Sequence, residues 1–296
     1  MPFVLAGSGS RVFAESLARE LGTPLARAET KRFPDGEGHV RILDPAKGRD
    51  VVIVQATAPD TNLVELLLWQ DAAREAGASS ITTVIPYLGY ARQDRVFLPG
   101  EAVSSRAAAR AIAGSSDRII TIDPHKEESM AFFGGKAASV SAVPQLAAVL
   151  ASWGVDTVLA PDKGARARAE SAAHIMHARV DHLEKTRLSA TEVVMQAKDL
   201  DVRGARVAIV DDLIASGATM LTAARQLKQA GAKAVYAACT HGLFTGGSPA
   251  NLLSDGIDRL LVTDTVPVAS PRPTGLDIVS AAPAVARLLK VAPTPA

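Results

Sequence analysis

The stretch RVAIVDDLIASGATMLTAARQLKQAGAKAVYAA, residues 206–238, decides the fold. It begins with the apolar run VAIV, continues through TMLTAARQLKQAG, which has helical spacing, and ends in a second apolar run, VYAA. Apolar runs that lack polar alternation and are joined by a helix are typical of parallel strands buried on both faces. The first run ends on two adjacent carboxylates, Asp211 and Asp212. Ligands of open α/β sheets bind at the carboxyl ends of the strands, so we expect a binding site there.

The same alternation of apolar runs and helical segments recurs along the chain. VVIVQ precedes LVELLLWQDAAREAG, and ITTVIPY precedes VSSRAAARAIAG, which predicts an α/β fold with mostly parallel sheets flanked by helices. The segment starting at Val51 aligns with the one starting at Val207, which indicates two similar domains. An alternative is that any two strand–helix–strand units of this composition would align as well. We predict domains at residues 1–147 and 148–280, and a C-terminal segment, 281–296, that packs on the N-terminal domain.

Composition narrows the class of protein. The chain has 296 residues, of which 48% are hydrophobic and 21% charged, so it has enough apolar material for packed cores and does not resemble a disordered protein. The near balance of 32 basic and 31 acidic residues argues against nucleic acid or a membrane surface as the main partner. A single cysteine, Cys239, excludes an internal disulfide and fits a reducing compartment. Without a signal-like segment or a long apolar span, we expect a cytoplasmic protein.

The loop after the two carboxylates has the chemistry of a phosphate site. It consists of Ala215, Ser216, Gly217, Ala218 and Thr219. A helix N-terminus offers backbone N–H groups and a positive dipole end, glycine permits close approach, and the two hydroxyls add donors. Carboxylates would repel the same phosphate, so they must face sugar hydroxyls or a metal. A phosphorylated sugar satisfies both; the plainer alternative is an N-capping residue after an acidic strand end.

The string IVDDLIASGAT resembles the phosphoribosyl-pyrophosphate motif of type I phosphoribosyltransferases and of ribose-phosphate pyrophosphokinases. The resemblance implies that Asp211 and Asp212 hold the ribose 2- and 3-hydroxyls and that residues 215–219 hold the 5-phosphate. It also implies two phosphoribosyltransferase-like domains. Ala218 stands where many relatives have a second glycine.

Two further stretches resemble the nucleotide-binding segments of the pyrophosphokinases. In RFPDGEGHVRI, residues 32–42, the resemblance gives an adenine-binding role to Phe33, Asp35 and Glu37. In PYLGYARQDRVF, residues 86–97, it implies that ATP is bound by Arg92, Gln93 and Asp94. Taken alone, Phe33 fits a core anchor, and the arginines fit a solvated loop.

Three more stretches resemble the catalytic and metal-binding parts of that family. TIDPHKEESMAFF, residues 121–133, implies that His125 lies by the magnesium-triphosphate, and APDKGARARAE, residues 160–170, supplies Asp162 as a sugar and metal acid. EKTRLSATEV, residues 184–193, resembles the flexible catalytic loop and gives Lys185 and Arg187 the transition-state role. Without the resemblance, His125 fits a structural hydrogen-bonding role, and the two cations fit an exposed edge strand.

The resemblance covers nearly the whole chain in the right order and identifies it as a member of the ribose-phosphate pyrophosphokinase family. It implies that the diphosphoryl group of Mg-ATP is transferred to the anomeric hydroxyl of ribose 5-phosphate, with Mg²⁺ as cofactor. It also implies a homo-oligomer whose ATP site lies at a subunit interface. Two alternatives stay open: a catalytically silent regulatory subunit of the same enzyme, and a phosphoribosyltransferase.

Overall fold

A computed structural model describes residues 2–187, 193–197, 201–245, 247 and 249–291, with the backbone alone for 184–187 and 193–197. The chain divides into two compact units. The first comprises residues 1–141, 265–267 and 280–296, and the second comprises residues 142–264 and 268–279. Among the described residues, no helix combines the length and the apolar character needed to cross a membrane.

The first unit is built on a parallel sheet with the strand order β1-β4-β5-β6-β7, and β2 and β3 form a separate antiparallel hairpin. The four strands of this sheet other than β7 are largely buried, because helices pack against the sheet. The elements up to residue 141 are β1 (Phe3–Ala6), α1 (Arg11–Leu21), β2 (Ala28–Arg32), β3 (Gly38–Ile42), β4 (Asp50–Val54), α2 (Asp60–Glu75), β5 (Ser80–Ile85), α3 (Ser104–Ser115), β6 (Arg118–Ile122) and β7 (Ala137–Val140).

The second unit has the strand order β10-β9-β8-β11-β12-β13-β14, in which β9 and β10 pair antiparallel and the other neighbours pair parallel. The remaining elements are α4 (Val143–Ser152), β8 (Thr157–Ala160), α5 (Arg166–Met176), β9 (Arg179–Arg187), β10 (Val193–Ala197), β11 (Arg206–Ile214), α6 (Ala218–Gln229), β12 (Ala234–Gly242), α7 (Pro249–Ser254), β13 (Arg259–Thr263), β14 (Leu276–Val279) and α8 (Ala282–Lys290). This α/β architecture with parallel sheets flanked by helices confirms the predicted fold class.

Helix α4 lies as a whole in the second unit, although the predicted boundary at residues 147/148 falls inside it. The reason is its apolar face: Leu146 and Leu150 are fully buried in a core cluster that also contains Val158 of β8 and Val210 of β11. A helix whose apolar face is committed to one sheet stays with that sheet.

Helix α8, at the end of the chain, is part of the first unit and packs on α1. Lys290 donates a hydrogen bond from Nζ to the carbonyl of Glu20 at 2.9 Å, and Arg118 donates from Nη2 to the carbonyl of Leu288 at 3.2 Å. Cations that bind carbonyl groups at the end of a helix also interact favourably with its dipole.

Candidate active site

The two adjacent carboxylates lie within strand β11 and not at its end. The strand continues to Ile214, where Leu213 pairs with His241 and Ile214 with Gly242. The expectation that the strand finishes on Asp211 and Asp212 is therefore wrong. The neighbouring strand β12 runs far enough to supply partners for the two residues that follow, which keeps the chain extended.

Burial makes the acid pair chemically unusual. Asp212 is 5% exposed, and its backbone N–H donates a 2.8 Å hydrogen bond to Oδ1 of Asp211. Burial, the hydrogen bond and charge of Asp212, and the charge of Asp162 together raise the pKa of Asp211 to about 8. At neutral pH Asp211 therefore favours its protonated form, which donates a hydrogen bond, while the carboxyl oxygens of both residues accept hydrogen bonds. A vicinal diol, which can both donate and accept, suits such a pair.

A cation beside the pair was not singled out in the sequence. Arg168, in the first turn of α5, places Nη2 3.6 Å from Oδ2 of Asp212, and both side chains are largely buried. The only sequence signal was its place in APDKGARARAE, six residues after Asp162. Within residues 160–170, the resemblance gives a role to Asp162 and none to Arg168.

The phosphate loop has the backbone geometry that the sequence predicts. Gly217 adopts φ +80° and is the residue before α6, which begins at Ala218. A Cβ atom at this position would lie 2.6 Å from Cδ2 of Leu252 in α7, so the turn needs glycine for both its backbone conformation and its packing. Ser216 and Thr219 are exposed, which leaves their hydroxyl groups accessible at the helix N-terminus. The loop thus presents two hydroxyl groups at a helix N-terminus, where Oγ of Ser216 accepts the N–H of Ala218 at 3.4 Å.

The segment that follows β12 also holds the phosphate loop in place, through backbone hydrogen bonds that the sequence did not predict. The N–H of Thr245 donates a 2.9 Å hydrogen bond to the carbonyl of Ala215, and Leu243 donates to the carbonyl of Ile214 at 2.9 Å. Both donors follow β12, and their partners lie about thirty residues earlier in the chain. Such a long-range pairing has no local sequence signal.

Asp162 is exposed just after β8 and caps a short 3₁₀ helix. Its Oδ1 accepts hydrogen bonds from the N–H groups of Gly164 at 2.8 Å and Ala165 at 3.1 Å. Within the described residues, no group of three or more acidic, histidine or cysteine side chains is placed to hold a metal ion. Mg²⁺ is usually held by one or two carboxylates together with substrate phosphates and water, so an exposed carboxylate such as Asp162 fits this ion.

The predicted adenine-binding residues lie at the tip of the β2–β3 hairpin in the first unit. Phe33 is 44% exposed, which excludes the alternative of a core anchor. Its ring meets that of His39 edge-on at 5.7 Å, and Nζ of Lys31 lies 5.6 Å from the ring centroid. Asp35 accepts the N–H of Glu37 at 3.1 Å, which closes the turn. The hairpin therefore presents an aromatic face and two carboxylates to solvent, as a base-binding element requires.

The segment after β5 presents Arg92 and Asp94 beside a structural glutamine. Arg92 is exposed. Oε1 of Gln93 accepts a hydrogen bond from Oγ of Ser104 at 2.6 Å, and its carbonyl accepts the N–H of Ser105 at 3.2 Å. Gln93 thus holds the start of α3, a contact that the nucleotide-binding prediction did not anticipate. Its predicted contact with ATP stays a prediction.

His125 follows β6, the strand next to β5, so it lies at the same carboxyl edge of the first sheet as Arg92. It is exposed, whereas Asp123, two residues earlier, is 7% exposed and adopts φ +37°. Asp123 accepts a 2.7 Å hydrogen bond from Oγ of Ser141, and its N–H donates to the carbonyl of Val140 at 2.9 Å. A buried carboxylate anchors the turn that carries the histidine.

The side chains of Lys185 and Arg187 lie outside the described part of the chain. Their backbone belongs to β9, where Lys185 pairs with Met195 and Arg187 with Val193 of β10. The catalytic role that the resemblance gives them stays a prediction.

Comparisons with known proteins agree with these features. A family model for the N-terminal domain of ribose phosphate pyrophosphokinase matches residues 3–115, and one for the phosphoribosyl synthetase-associated domain matches residues 165–278. A ribose-phosphate pyrophosphokinase of Methanopyrus kandleri is 45% identical over 268 residues, or 89% of this chain and 92% of the relative. That of Methanosarcina acetivorans is 39% identical over 289 residues, or 97% of this chain and 99% of the relative.

A solved structure gives the same result at the level of the fold. The crystal structure of phosphoribosylpyrophosphate synthetase from Mycobacterium smegmatis superposes with a TM-score of 0.87 at 28% identity and covers 97% of each chain. The similarity therefore extends over both units and through the sequence segments that carry the candidate site. The chain belongs to the ribose-phosphate pyrophosphokinase family.

Proposed function

We propose that this enzyme transfers the diphosphoryl group of ATP to ribose 5-phosphate. The anomeric oxygen of the sugar attacks the β-phosphorus, the bond from that phosphorus to the oxygen bridging to the α-phosphate breaks, and AMP leaves. The hydroxyl proton is released, and the products are 5-phosphoribosyl 1-diphosphate and AMP. The observation that carries the proposal is the acid pair of β11 followed by a glycine turn and an exposed helix N-terminus, since this arrangement matches a diol and a phosphate on one molecule.

Each part of the sugar has a matching group in the second unit. Asp211 and Asp212 bind the two ring hydroxyls, and residues 215–219 bind the 5-phosphate through N–H groups and hydroxyls. The raised pKa of Asp211 supports this assignment, because a protonated carboxyl group can donate a hydrogen bond to one hydroxyl oxygen of a diol.

The nucleotide is assigned to groups of the first unit. The exposed ring of Phe33 stacks on the base, and Asp35 and Glu37 accept its hydrogens. Arg92 binds phosphate oxygens, to which a guanidinium group is well matched. Lys185 and Arg187 are assigned to the migrating group, where positive charge stabilises the transition state.

His125 of the first unit and Asp162 of the second are each predicted ligands of Mg²⁺, which would supply positive charge to phosphate oxygens. The residues of the chain bind and orient the two substrates and exclude water from the reacting atoms. We expect a homo-oligomer in which the ATP site lies at a subunit interface.

One assay tests the proposed reaction against the two alternatives. The protein is incubated with Mg-ATP and ribose 5-phosphate, and AMP and 5-phosphoribosyl 1-diphosphate are quantified. We expect equal amounts of the two products. A folded protein that forms no AMP at saturating substrates would contradict the proposal and favour a silent regulatory subunit. Consumption of 5-phosphoribosyl 1-diphosphate with a purine base, without AMP formation, would favour a phosphoribosyltransferase.

A further inference from the structure

The side chain of Arg168 is buried to an extent that is unusual for an arginine. Its side chain is 18% exposed, although it belongs to the first turn of α5, a helix end that begins close to solvent. The next residue, Ala169, is fully buried in the core cluster that covers the sheet. Burying most of an arginine side chain costs free energy unless a partner compensates for the lost hydration.

One partner within reach is Asp212 of the acid pair. Nη2 of Arg168 lies 3.6 Å from Oδ2 of Asp212, a carboxylate that is 7% exposed. This distance is typical of an ion pair and is longer than a hydrogen bond. Two opposite charges interact more strongly at such a site than at the surface, because little solvent screens them. The arginine therefore has a large influence on the orientation and the charge of Asp212.

The contact with Arg168 affects the proposed sugar site because Asp212 must both carry its charge while buried and point toward a ring hydroxyl. Asp212 is next to Asp211, whose pKa is raised to about 8 by burial and by the hydrogen bond and charge of Asp212. A carboxylate that must remain charged while buried needs a nearby cation. A carboxylate that must meet a ring hydroxyl also needs a fixed orientation.

We propose that Arg168 is a positioning residue of the sugar site, which holds the Asp212 carboxylate in the orientation that accepts a ribose hydroxyl. The proposal rests on the proposed function only for the identity of the sugar ester. Arg168 acts through Asp212 and does not itself touch the substrate. Binding of ribose 5-phosphate should therefore depend on Arg168 only while Asp212 is present as a carboxylate.

A double-mutant cycle tests this dependence. Binding of ribose 5-phosphate to the full chain is measured by titration calorimetry for wild type, Arg168→Met, Asp212→Asn and the double variant. We expect each single change to weaken binding about 10- to 100-fold, which is the range for a hydrogen bond to a charged group. The double variant should bind no more weakly than Asp212→Asn, because a residue that acts through another adds nothing once that residue is gone. If the two losses multiply, or if Arg168→Met binds like wild type, the proposal is overturned.

Two further variants keep the test decisive. Arg168→Lys retains the charge on a different head group, and we expect it to recover part of the affinity; it also serves if Arg168→Met does not fold. Arg166, two residues earlier, is 60% exposed and pairs with Glu170 on the same helix, so Arg166→Met is the matched control and should bind the sugar ester like wild type. An equal loss in Arg166→Met would show that general damage to α5, and not the contact with Asp212, causes the effect.

Kinetics separates this proposal from the proposed function. We expect Arg168→Met to raise the KM for ribose 5-phosphate while the KM for ATP stays within about twofold of wild type. If wild type binds ribose 5-phosphate but forms no AMP, the proposed function fails, and the binding cycle still decides the role of Arg168. Failure of wild type to bind the sugar ester would overturn both.

Discussion

The two units contain the same strand–helix element, formed by β4 and α2 in the first and by β11 and α6 in the second. The two copies differ in the polar groups that lie between the strand and the helix. After β4, Gln55 is fully buried and its Oε1 accepts the N–H of Gly9 at 3.0 Å. The helix that follows begins with an acid, Asp60, in its first turn. After the start of β11 come two carboxylates and a glycine turn, and the first turn of α6 contains no acid. The same fold element thus carries the proposed anion site in one unit and an acidic helix start in the other.

The first unit also has a glycine-containing loop before a helix, residues 7–10, whose donors could bind phosphate but are used within the protein. In GSGS, residues 7–10, the N–H of Ser8 donates to Oε1 of Glu65 at 2.8 Å, and its hydroxyl donates to Oε2 at 2.5 Å. Glu65 is 4% exposed and also accepts Nε1 of Trp69 at 3.1 Å. A carboxylate of the protein takes the donors that a ligand would use. A glycine-rich loop at a helix start therefore predicts an anion site only where its donors are not used internally.

Removal of both acids should produce the largest effect. We expect Asp211→Asn with Asp212→Asn to lower kcat/KM for ribose 5-phosphate about 30- to 2,000-fold, because a hydrogen bond to a charged acid is worth about 1.5–3 kcal/mol and one to its protonated neighbour about 0.5–1.5 kcal/mol. Steady-state kinetics with varied sugar ester measures this change. The matched substitution in the first unit, Asp60→Asn, should leave the KM for ribose 5-phosphate unchanged. An equal loss in both variants would break the comparison.

Substitution of the glycine turn should have the next largest effect. We expect Gly217→Ala to weaken binding of ribose 5-phosphate at least about tenfold and to destabilise the protein by about 1–3 kcal/mol, because the new Cβ meets Leu252 at a positive φ. Calorimetry and urea unfolding measure the two quantities.

Gly22 is the control for backbone strain alone. It adopts φ +65°, and a Cβ atom there would meet nothing within 4 Å. Gly22→Ala should therefore lower the free energy of unfolding by about 1 kcal/mol without changing the affinity for the sugar ester.

A second variant tests the contact with α7. Adding Leu252→Ala to Gly217→Ala should recover part of the affinity; no recovery would mean that backbone strain, and not the contact with α7, disturbs the loop.

The exposed aromatic residue of the hairpin should have a smaller and more selective effect. We expect Phe33→Ala to raise the KM for ATP about tenfold, since stacking of a base on an aromatic ring is worth about 1–3 kcal/mol. The free energy of unfolding should change by less than about 0.5 kcal/mol, because the ring is 44% exposed. An unchanged KM for ATP would contradict the assignment of the hairpin to the nucleotide.

Replacement of Asp211 should also change how the stability of the ligand-free protein depends on pH. The pKa of Asp211 is raised from its ordinary value of 3.8 to about 8, so between these values the folded state binds more protons than the unfolded state. Its contribution to stability is therefore present below about pH 4 and is lost as the pH rises toward 8. We expect the melting temperature of ligand-free wild type to fall relative to that of Asp211→Asn between pH 5 and 8. Parallel curves for the two proteins would show that Asp211 titrates normally.

The sequence predicted some features of the fold and of the candidate site but not others. The apolar runs and helical segments predicted the α/β class correctly, because periodicity is a local property of the chain. The glycine turn was predictable for the same reason, since a tight turn before a helix restricts one residue. The exposure of Phe33 was not predictable, because an aromatic residue between charged residues fits both a core and a surface position. The placement of α4 depended on which sheet its apolar face covers.

By itself, the sequence determined the order of strands and helices, the two carboxylates of β11 with the glycine loop that follows them, and the family to which they point. These features are encoded within ten to thirty consecutive residues. Only the tertiary structure decided that Arg168 meets Asp212, that Leu252 closes the space beside Gly217, and that Glu65 accepts both donors of Ser8. Each of these contacts joins residues that are more than thirty positions apart, and packing of the helices on the sheets brings them together. Whether a donor or a charge remains available to a ligand depends on such contacts, and so cannot be deduced from the local sequence.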